Sequence, residues 1–183
     1  MAEVKIQYKM YTDENEMPAI RELIARDLSE PYSIYTYRYF INNWPHLCWL
    51  AYAGERIVGV VVSKADSHRG KRLRGYIAML AVDSEFRKRR IGTKLVSRTI
   101  RGMEKIGCDE CVLEALINNF GALRLYGRLG FIRAKRLPKY YLNGLDAYRL
   151  KLYLKDPINE YQKLISSTAV DGGNGDDAPK TGT

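Results

Sequence analysis

The stretch GYIAMLAVDSEFRKRRIGTKLV, residues 75–96, decides the fold, and the rest of the chain is arranged around it. Its first part, Tyr76–Val82, is a continuous apolar run, which predicts a strand buried on both faces. The next part begins a series of apolar residues three, four or five positions apart that continues beyond the quoted stretch, at Ile91, Leu95, Val96, Ile100 and Met103. That spacing predicts a helix with one apolar face packed on a sheet.

A basic turn joins the predicted strand to the predicted helix. Its residues are Arg87, Lys88, Arg89 and Arg90, four cations at the start of the helix. The first turn of a helix presents backbone N–H groups without intrahelical partners and the positive end of the helix dipole. Together these features predict a site for an anion such as a phosphate. The alternative for a run of charges alone is an ordinary solvated turn.

The composition is that of one globular domain. The chain has 183 residues, of which 46% are hydrophobic and 28% charged, enough for one well-packed core and short for two. We expect a domain over residues 1–157, followed by a short amphipathic segment, Ile158–Ile165, and a tail that ends at residue 183. The tail is too rich in Gly, Asp and Ser to bury a core, so we expect it to be disordered.

Charge and cysteine content restrict the partners and the compartment. The formal net charge is +9, and residues 166–183 contribute −2, so the preceding part carries +11. A basic body suits an anionic partner, which is a phosphorylated cofactor, ribosomal RNA or both. There is no apolar run near twenty residues and no secretory signal at the N-terminus, so we expect a soluble cytoplasmic protein without a membrane partner. Three cysteines at unrelated spacings fit a reducing compartment.

The other elements follow a mixed order of strands and helices. We predict further helices over Met17–Leu28, Ile34–Asn43, and from Asn118 or Asn119 to Gly130. We predict further strands over Val4–Tyr8, Leu47–Tyr52, Ile57–Ser63, Cys111–Leu116, Ile132–Leu142 and Ala147–Leu154, with a polar interval over Asp66–Arg74. Compact turns at residues 53–56 and 143–146 predict hairpins. The order indicates an α+β fold, mixed α/β, with strand–helix–strand crossovers in its second half.

Several stretches resemble one known family. The spacing Arg87-x-x-Arg90-x-Gly92-Thr93 resembles the R/Q-x-x-G-x-G/A loop of the GNAT superfamily of acetyl-CoA-dependent N-acetyltransferases. Four further stretches resemble the catalytic subunits of NatC-type N-terminal acetyltransferases: LSEPYSIYTYRYF from Leu28, LRGYIAMLAV from Leu73, the acidic strand at Leu113-Glu114, and YYLNG from Tyr140. The resemblance covers roughly residues 4–154. It implies the GNAT acyl-CoA N-acyltransferase fold, a central twisted mixed sheet flanked by helices.

The resemblance implies acetyl-CoA as the cofactor, with its pantetheine arm in a gap between the fourth and fifth strands. The residues that it assigns to cofactor binding are Leu80, Ala81, Val82, Arg87, Lys88, Arg90, Ile91, Gly92, Thr93, Asn119, Ala122 and Tyr126. Arg90 stands where most of the superfamily has glycine. Its side chain would crowd the pyrophosphate if the backbone needs a positive φ, or it would pair with a phosphate, and the sequence leaves both interpretations open.

Two residues are candidates for base and acid catalysis. Glu114 lies in an apolar strand, where a buried acid is uncommon unless it is used or paired. The resemblance makes Glu114 the general base, although Leu116 replaces a second acid of the family's pattern; a structural salt bridge is the alternative for Glu114. Tyr126 shares a helix face with Asn119, and the resemblance makes it the acid that protonates the departing thiolate. A core tyrosine is the alternative for Tyr126.

The resemblance also implies a peptide site and partners. The residues that it assigns to substrate binding are Glu30, Pro31, Tyr32, Met79, Tyr140 and Tyr141, for whose tyrosines simple packing is the alternative. The implied substrates are proteins that begin with Met and a bulky hydrophobic residue. The implied partners are a large auxiliary subunit, a small subunit, and the ribosome through that complex. Acetylation of lysine or a small amine, and a non-catalytic acyl-CoA-binding or RNA-binding role, are the rival functions.

The residue spacings do not match other common catalytic or metal-binding motifs. Cys108-x-x-Cys111 ends a helix and has no second pair of ligands, so it predicts neither a metal site nor a redox pair, and we expect free thiols. Gly54-x4-Gly59 is followed by Val60-Val61, which excludes the phosphate loop of nucleotide hydrolases. There is no Ser-centred nucleophile elbow. We therefore expect no metal and no serine nucleophile.

Overall fold

A seven-stranded sheet forms the centre of the fold. It is seen in a computed structural model that describes residues 4–27, 32–68, 70 and 72–156. The strands are β1 Ile6–Met10, β2 Trp49–Ala53, β3 Arg56–His68, β4 Arg72–Val82, β5 Glu110–Leu116, β6 Ile132–Leu137 and β7 Ala147–Tyr153. Their order across the sheet is β1-β2-β3-β4-β5-β7-β6, and all neighbours are antiparallel except the parallel pair β4 and β5.

Helices cover both faces of this sheet. They are α1 Met17–Asp27, α2 Ile34–Asn43, α3 Ile91–Lys105 and α4 Phe120–Arg128, with short 3-10 turns at Glu14–Glu16, Pro45–Leu47 and Ser84–Phe86. One apolar core lies between the sheet and the α3 and α4 side, and a second lies on the α1 and α2 side. The predicted mixed α+β order is confirmed. None of the helices in the described part of the chain is both long and apolar enough to cross a membrane.

The predicted apolar face of α3 packs directly on the central strands. All five residues that defined this face, Ile91, Leu95, Val96, Ile100 and Met103, are buried. At the other end of the helix, a Cβ atom on Gly75 would lie 2.3 Å from the sulfur of Met103. Glycine in β4 therefore lets the C-terminal part of α3 lie close to the sheet.

Several predicted strand boundaries were wrong. Strands β3 and β4 extend into the polar interval Asp66–Arg74, β3 to His68 and β4 from Arg72, because an antiparallel ribbon satisfies its backbone by pairing even where its side chains are partly or fully exposed. Strand β6 ends at Leu137 and not at residue 142, since Pro138 has no N–H to donate and Lys139 adopts a positive φ of 48°. The first strand lies two residues later than predicted, at Ile6–Met10.

Some predictions fall on residues outside the described ranges. They concern the last residue of the first predicted helix, Leu28, the amphipathic segment Ile158–Ile165, and the disordered tail up to residue 183. The described C-terminal strand, β7, ends at Tyr153. The proposed domain boundary at residue 157 stays a prediction.

Candidate active site

A gap between β4 and β5 forms the candidate site. The two strands pair only where Arg74, Gly75 and Tyr76 lie opposite residues 110–112. Beyond this point, among the described residues, β4 pairs only with β3 and β5 only with β7, so their carboxyl ends separate. A cavity of about 210 Å³ opens there. It is lined by Asp27 and Tyr32, residues 77–80 of β4, residues 113–116 of β5, and Asn119, Ala122, Tyr126 and Tyr141.

Backbone groups of β4 point into this gap. The N–H of Asp83 donates to the carbonyl of Val58 in β3 at 2.9 Å, so the N–H of Asp83 faces β3. Because successive residues of a strand alternate in direction, the N–H and carbonyl groups of Leu80 and Val82 point away from β3, towards the gap. The groups of Val82 are used within the protein: its N–H donates to Asp27 at 3.2 Å and its carbonyl accepts from Arg87 at 3.1 Å. Leu80 has no ladder partner on this side.

The basic turn leads into the first turn of α3 beside the gap. Lys88 and Arg90 both adopt the left-handed conformation, with φ of 62° and 59°. The first backbone bond of the helix runs from the N–H of Lys94 to the carbonyl of Arg90 at 3.0 Å. The N–H groups of the three residues between them therefore have no carbonyl in the helix to bond: Ile91, Gly92 and Thr93. Left-handed turns of this kind gather N–H groups into a concave anion site.

The four cations of the basic turn have different neighbours. Arg87 forms a salt bridge with Asp27. Arg89 donates to the carbonyl of Val4 at 2.9 Å and lies over the ring of Phe86. Within the described ranges, Lys88 and Arg90 are exposed and form no salt bridge. The anion site predicted here therefore has two available side-chain cations, Lys88 and Arg90, beside the helix N–H groups.

Glu114 lies on the β5 wall of the cavity, and its carboxylate has two partners. Arg149 of β7 donates through Nε to Oε1 at 2.7 Å, and the Tyr76 hydroxyl donates to Oε2 at 2.9 Å. The Glu114 side chain is only 5% exposed. Burial and the neighbouring Glu114 carboxylate raise the pKa of Tyr76, which therefore keeps the proton of this hydrogen bond. The salt bridge left open by the sequence is present, and the same carboxylate also lines the cavity.

Tyr126 lies on the α4 wall of the same cavity. Its ring packs edge-to-face on Phe131, with ring centres 5.3 Å apart, and the residue is 4% exposed. Its hydroxyl makes no hydrogen bond within the described part of the chain. Burial, followed by the proximity of Cys111 and Tyr141, raises the pKa of Tyr126. Tyr126 is therefore a protonated phenol at neutral pH, with its hydroxyl available to a ligand in the cavity.

Most of the other predicted site residues lie around this cavity. Tyr32, Met79 and Tyr141 line it, whereas Ala81 is buried in the core on the α1 and α2 side. Tyr140 packs edge-to-face on Tyr141 but is itself exposed. Predicted residues Glu30 and Pro31 lie outside the described ranges.

Two predicted cofactor-binding residues, Asn119 and Ala122, and the substituted position Leu116 lie where β5 leads into α4. The side chain of Asn119 accepts from the N–H of Ala122 at 3.1 Å, so this asparagine caps the helix and lines the cavity at once. Leu116, which replaces the second acid, also lines the cavity. The cavity wall is thus apolar at the point where the family pattern has a carboxylate.

Sequence reasoning missed three residues that shape the site: Tyr76, Arg149 and Asp27. Tyr76 and Arg149 hold the two oxygens of Glu114. Asp27 closes the end of β4 through Val82 and Arg87. Alternation along β7 was visible in the sequence, but the register that places Arg149 opposite Glu114 depends on pairing between distant segments. No sequence signal pointed to Asp27.

A second depression and the three cysteines were the other candidate sites among the described residues. A depression of about 510 Å³ lies between α1 and the β2–β3 hairpin, and most of its ionisable side chains are paired with each other, as in the Arg56–Asp83 salt bridge at 2.6 Å. Cys48, Cys108 and Cys111 are buried free thiols. Burial raises the pKa of Cys48 to about 12 and of Cys108 to about 11.

A comparison with protein families supplies the identification. Residues 17–131, more than half of the chain, match the model of the acetyltransferase (GNAT) family. The chain belongs to the GNAT family. The predicted GNAT fold is thereby confirmed, and the matched residues include the separated strands, the basic turn, α3 and α4.

Curated relatives are similar to the GNAT chain over most of its length. N-alpha-acetyltransferase 30 of Homo sapiens is 59% identical over 150 residues, which are 82% of this chain and 41% of the human protein. N-alpha-acetyltransferase MAK3 of Arabidopsis thaliana is 54% identical over 155 residues, 85% of this chain and 81% of the plant protein. The chain thus spans about two fifths of the length of the human relative and most of the plant relative.

A solved structure agrees with these relatives. A chain in the crystal structure of the NatC complex bound to Gag peptide and CoA is similar to this GNAT chain, with a TM-score of 0.80 and 47% sequence identity. The similarity covers 82% of this chain and 99% of that chain. The resemblance to NatC-type catalytic subunits drawn from the sequence is confirmed.

Proposed function

We propose that this chain is the catalytic subunit of a NatC-like complex and transfers an acetyl group from acetyl-CoA to the α-amine of proteins. One observation carries the proposal: a carboxylate and a protonated phenol, Glu114 and Tyr126, line the same small cavity between two separated strands, next to an anion site. The similarity to relatives named N-alpha-acetyltransferase and to the NatC structure supports it.

The residues present fit acetyl-CoA. Its phosphates suit the exposed Lys88 and Arg90 and the unpaired N–H groups at the start of α3, and its amide-containing arm suits the backbone groups of Leu80 that face the gap. When bound, acetyl-CoA supplies the acetyl group as a thioester, which an amine attacks while the CoA thiolate leaves. All other steps are assigned to side chains of this chain.

Glu114 acts as the base. An α-amine has a pKa near ~8, so only a marginally held proton has to be removed at neutral pH. Arg149 and Tyr76 each occupy one lone pair of the carboxylate, and each oxygen keeps another for the amine or for a water between them. Their contacts hold the carboxylate in one orientation, and positioning contributes to rate as basicity does. With Leu116 in place of a second acid, the proton route runs through Glu114.

Tyr126 acts as the acid. Its raised pKa keeps its proton in place at neutral pH, and its hydroxyl has no partner within the described residues that would hold this proton. Donation to the sulfur of the departing thiolate balances the charge that forms there. Glu114 and Tyr126 lie on different walls, β5 and α4, so the two proton transfers are separate.

The proposed substrates begin with Met followed by a bulky hydrophobic residue. Aromatic and apolar side chains on the peptide side of the cavity, Tyr32, Met79 and Tyr141, support an apolar side chain at the second position. A free N-terminal amine, and no lysine side chain, is expected to reach Glu114. The rival substrates, lysine side chains and small amines, do not present an apolar side chain one residue after a reacting N-terminal amine.

The proposed partners are a large auxiliary subunit and a small subunit. Tyr35 and Tyr39 on α2 are 76% and 47% exposed, which is unusual for large aromatic side chains on one helix face and supports a protein interface there. The chain alone should then turn over peptides more slowly than the complex. Equal turnover by the two preparations would remove this proposal.

A cytoplasmic site of action at the ribosome completes the proposal. Residues 115–145 contain six cations, Arg124, Arg128, Arg133, Lys135, Arg136 and Lys139, and no acid. Of these, Arg124, Arg128 and Lys135 are exposed and form no salt bridge within the described ranges. A strip of unpaired cations on α4 and the edge strand β6 suits the phosphates of ribosomal RNA.

A peptide panel tests the proposed function. Purified chain and complex are assayed with acetyl-CoA and three peptides: a free Met-Leu N-terminus, the same peptide with a blocked N-terminus and an internal lysine, and a free Ser N-terminus. Turnover of the free Met-Leu peptide alone is the expected result. Turnover of the blocked peptide would favour the lysine rival, and binding of acetyl-CoA without any turnover would favour the non-catalytic rival.

A further inference from the structure

The end of β4 is closed by two side chains from other elements. Val82 is the last residue of β4, and its N–H and carbonyl point into the gap because Asp83 already bonds to β3. Asp27 Oδ2 accepts from the Val82 N–H at 3.2 Å, and Arg87 Nε donates to the Val82 carbonyl at 3.1 Å. Arg87 and Asp27 also form a salt bridge with each other. The three residues therefore make one closed set of contacts.

This set joins three parts of the site. Asp27 is the last residue of α1, which packs against the second apolar core of the sheet, and Asp27 itself lines the cavity. Arg87 opens the basic turn that precedes α3. Val82 ends the strand whose backbone faces the gap. A carboxylate that bonds to both a backbone N–H and a guanidinium is held in one orientation.

Because of these contacts, the guanidinium of Arg87 and the N–H and carbonyl of Val82 are already bonded within the protein and are not available to bind the acyl donor. On this part of β4, the N–H and carbonyl of Leu80 therefore remain to bond a ligand in the gap. The guanidinium of Arg87 is directed to Asp27 and Val82, whereas Lys88 and Arg90 next to it are exposed without a salt bridge in the described ranges.

We propose that Asp27 is a positioning residue that, paired with Arg87, fixes the end of β4 and holds α1 and the basic turn in one arrangement, so that the acyl-donor site and the amine site are aligned. Arg87 then acts through Asp27 and not as a phosphate ligand. This inference rests on the proposed function for its effect on catalysis, but its effect on β4 is independent of it.

The variants follow from these contacts. Asp27→Ala removes both contacts of the carboxylate, Asp27→Asn keeps an acceptor for the Val82 N–H, and Arg87→Ala removes the partner. Glu22→Gln is the matched control, because Glu22 lies on the same helix and its salt-bridge partner is Arg26, not Arg87. All variants alter partly or largely exposed side chains, so they are expected to fold.

Two acyl donors separate positioning from phosphate binding. Acetyl-pantetheine carries the thioester and the arm but no nucleotide phosphates. Asp27→Ala and Arg87→Ala should each lower kcat/KM by roughly tenfold or more with acetyl-CoA and by a similar factor with acetyl-pantetheine. The double variant should be little worse than either single variant, because both act through one set of contacts. Asp27→Asn should lie between Asp27→Ala and the wild type.

Hydrogen exchange gives a readout that does not depend on activity. The Val82 amide should exchange faster in Asp27→Ala than in the wild type. Its exchange rate should be unchanged in Glu22→Gln. A loss in Arg87→Ala confined to acetyl-CoA, or an Asp27→Ala enzyme that behaves like Glu22→Gln, would overturn the proposal. If Val82 exchange responds as expected while no N-terminal peptide is acetylated, the proposed function fails and the role of Asp27 in fixing β4 stands.

Discussion

Arg149 and Glu114 lie directly opposite each other on β7 and β5, and Arg149 Nε donates to Glu114 Oε1 at 2.7 Å. The pair lies at the edge of the cavity, where the arginine is partly exposed and the glutamate is nearly buried. The structural salt bridge, one of the two interpretations of Glu114 drawn from its sequence position, is therefore present, and the same carboxylate lines the cavity. Its role as the base is the part that the proposal adds.

Replacing Glu114 tests its role as the base. Glu114→Gln should lower kcat at neutral pH by roughly a hundred- to ten-thousand-fold, while KM for acetyl-CoA changes little. The loss should shrink as the pH rises past ~8, because the free amine then needs no base. Steady-state kinetics across pH check this, with the exposed Glu104→Gln as control. A loss that does not depend on pH would indicate a structural effect.

Replacing Tyr126 tests the acid. Tyr126→Phe should lower kcat by a comparable factor and should gain nothing from higher pH. Because burial raises the pKa of Tyr126 above its ordinary value near ~10, the wild type should show no loss of activity from its ionisation below that pH. The raised pKa also stabilises the fold below pH ~10, and this contribution is lost as the pH rises further. The stability of Tyr126→Phe should fall less steeply in that alkaline range, and an identical decline would contradict this assignment.

Arg90 combines a strained backbone with an available cation. Its φ of 59° costs a residue with a side chain about 1 kcal/mol relative to glycine. Arg90→Gly removes the cation, so it should bind acetyl-CoA several-fold more weakly and with a smaller dependence on salt. It also relieves the strained backbone, so its melting temperature should not fall. Arg90→Ala is the matched control, which loses the cation and keeps the strain. Calorimetric binding that is as tight or tighter in Arg90→Gly would show that the arginine is not a phosphate ligand.

The basic strip on α4 and β6 predicts salt-dependent binding to ribosomes. Neutralising Arg124, Arg128 and Lys135 to Gln should reduce the slope of log affinity against log salt by roughly two to three. The control neutralises the same number of exposed cations elsewhere, Arg21, Arg101 and Lys105. Co-sedimentation of the complex with ribosomes at several salt concentrations measures both slopes. Equal reductions in the two triple variants would leave no role for the strip.

Local patterns in the sequence were sufficient to predict most elements of the fold. Helix α2 occupies the predicted residues Ile34–Asn43, because Ser33 caps its start and Pro45 follows its end. The buried face of α3 followed from spacing alone. The ends of β3, β4 and β6 were wrong, since ribbon pairing and the backbone at Lys139 depend on contacts that spacing does not encode.

The candidate site was predictable only in part, for the same reason. Glu114 stood out because its predicted strand otherwise carries apolar residues, and Tyr126 because its spacing from Asn119 matches the family pattern. Both line one cavity. The contacts of Asp27 with Arg87 and of Glu114 with Arg149 join residues 60 and 35 positions apart. Such pairs depend on sheet register and helix placement. The sequence therefore indicated the reactive groups but not the side chains that orient them.

Acetyl transfer to a free Met-Leu N-terminus tests the central claim most directly. The measurement compares kcat/KM of the reconstituted complex for a Met-Leu peptide with that for the same peptide acetylated at its N-terminus and carrying a free internal lysine. Mass spectrometry then locates the new acetyl group. The account predicts one acetyl group on the Met α-amine and none on lysine, with the signal abolished by Glu114→Gln at neutral pH. Acetylation of lysine, or full activity of Glu114→Gln, would contradict it.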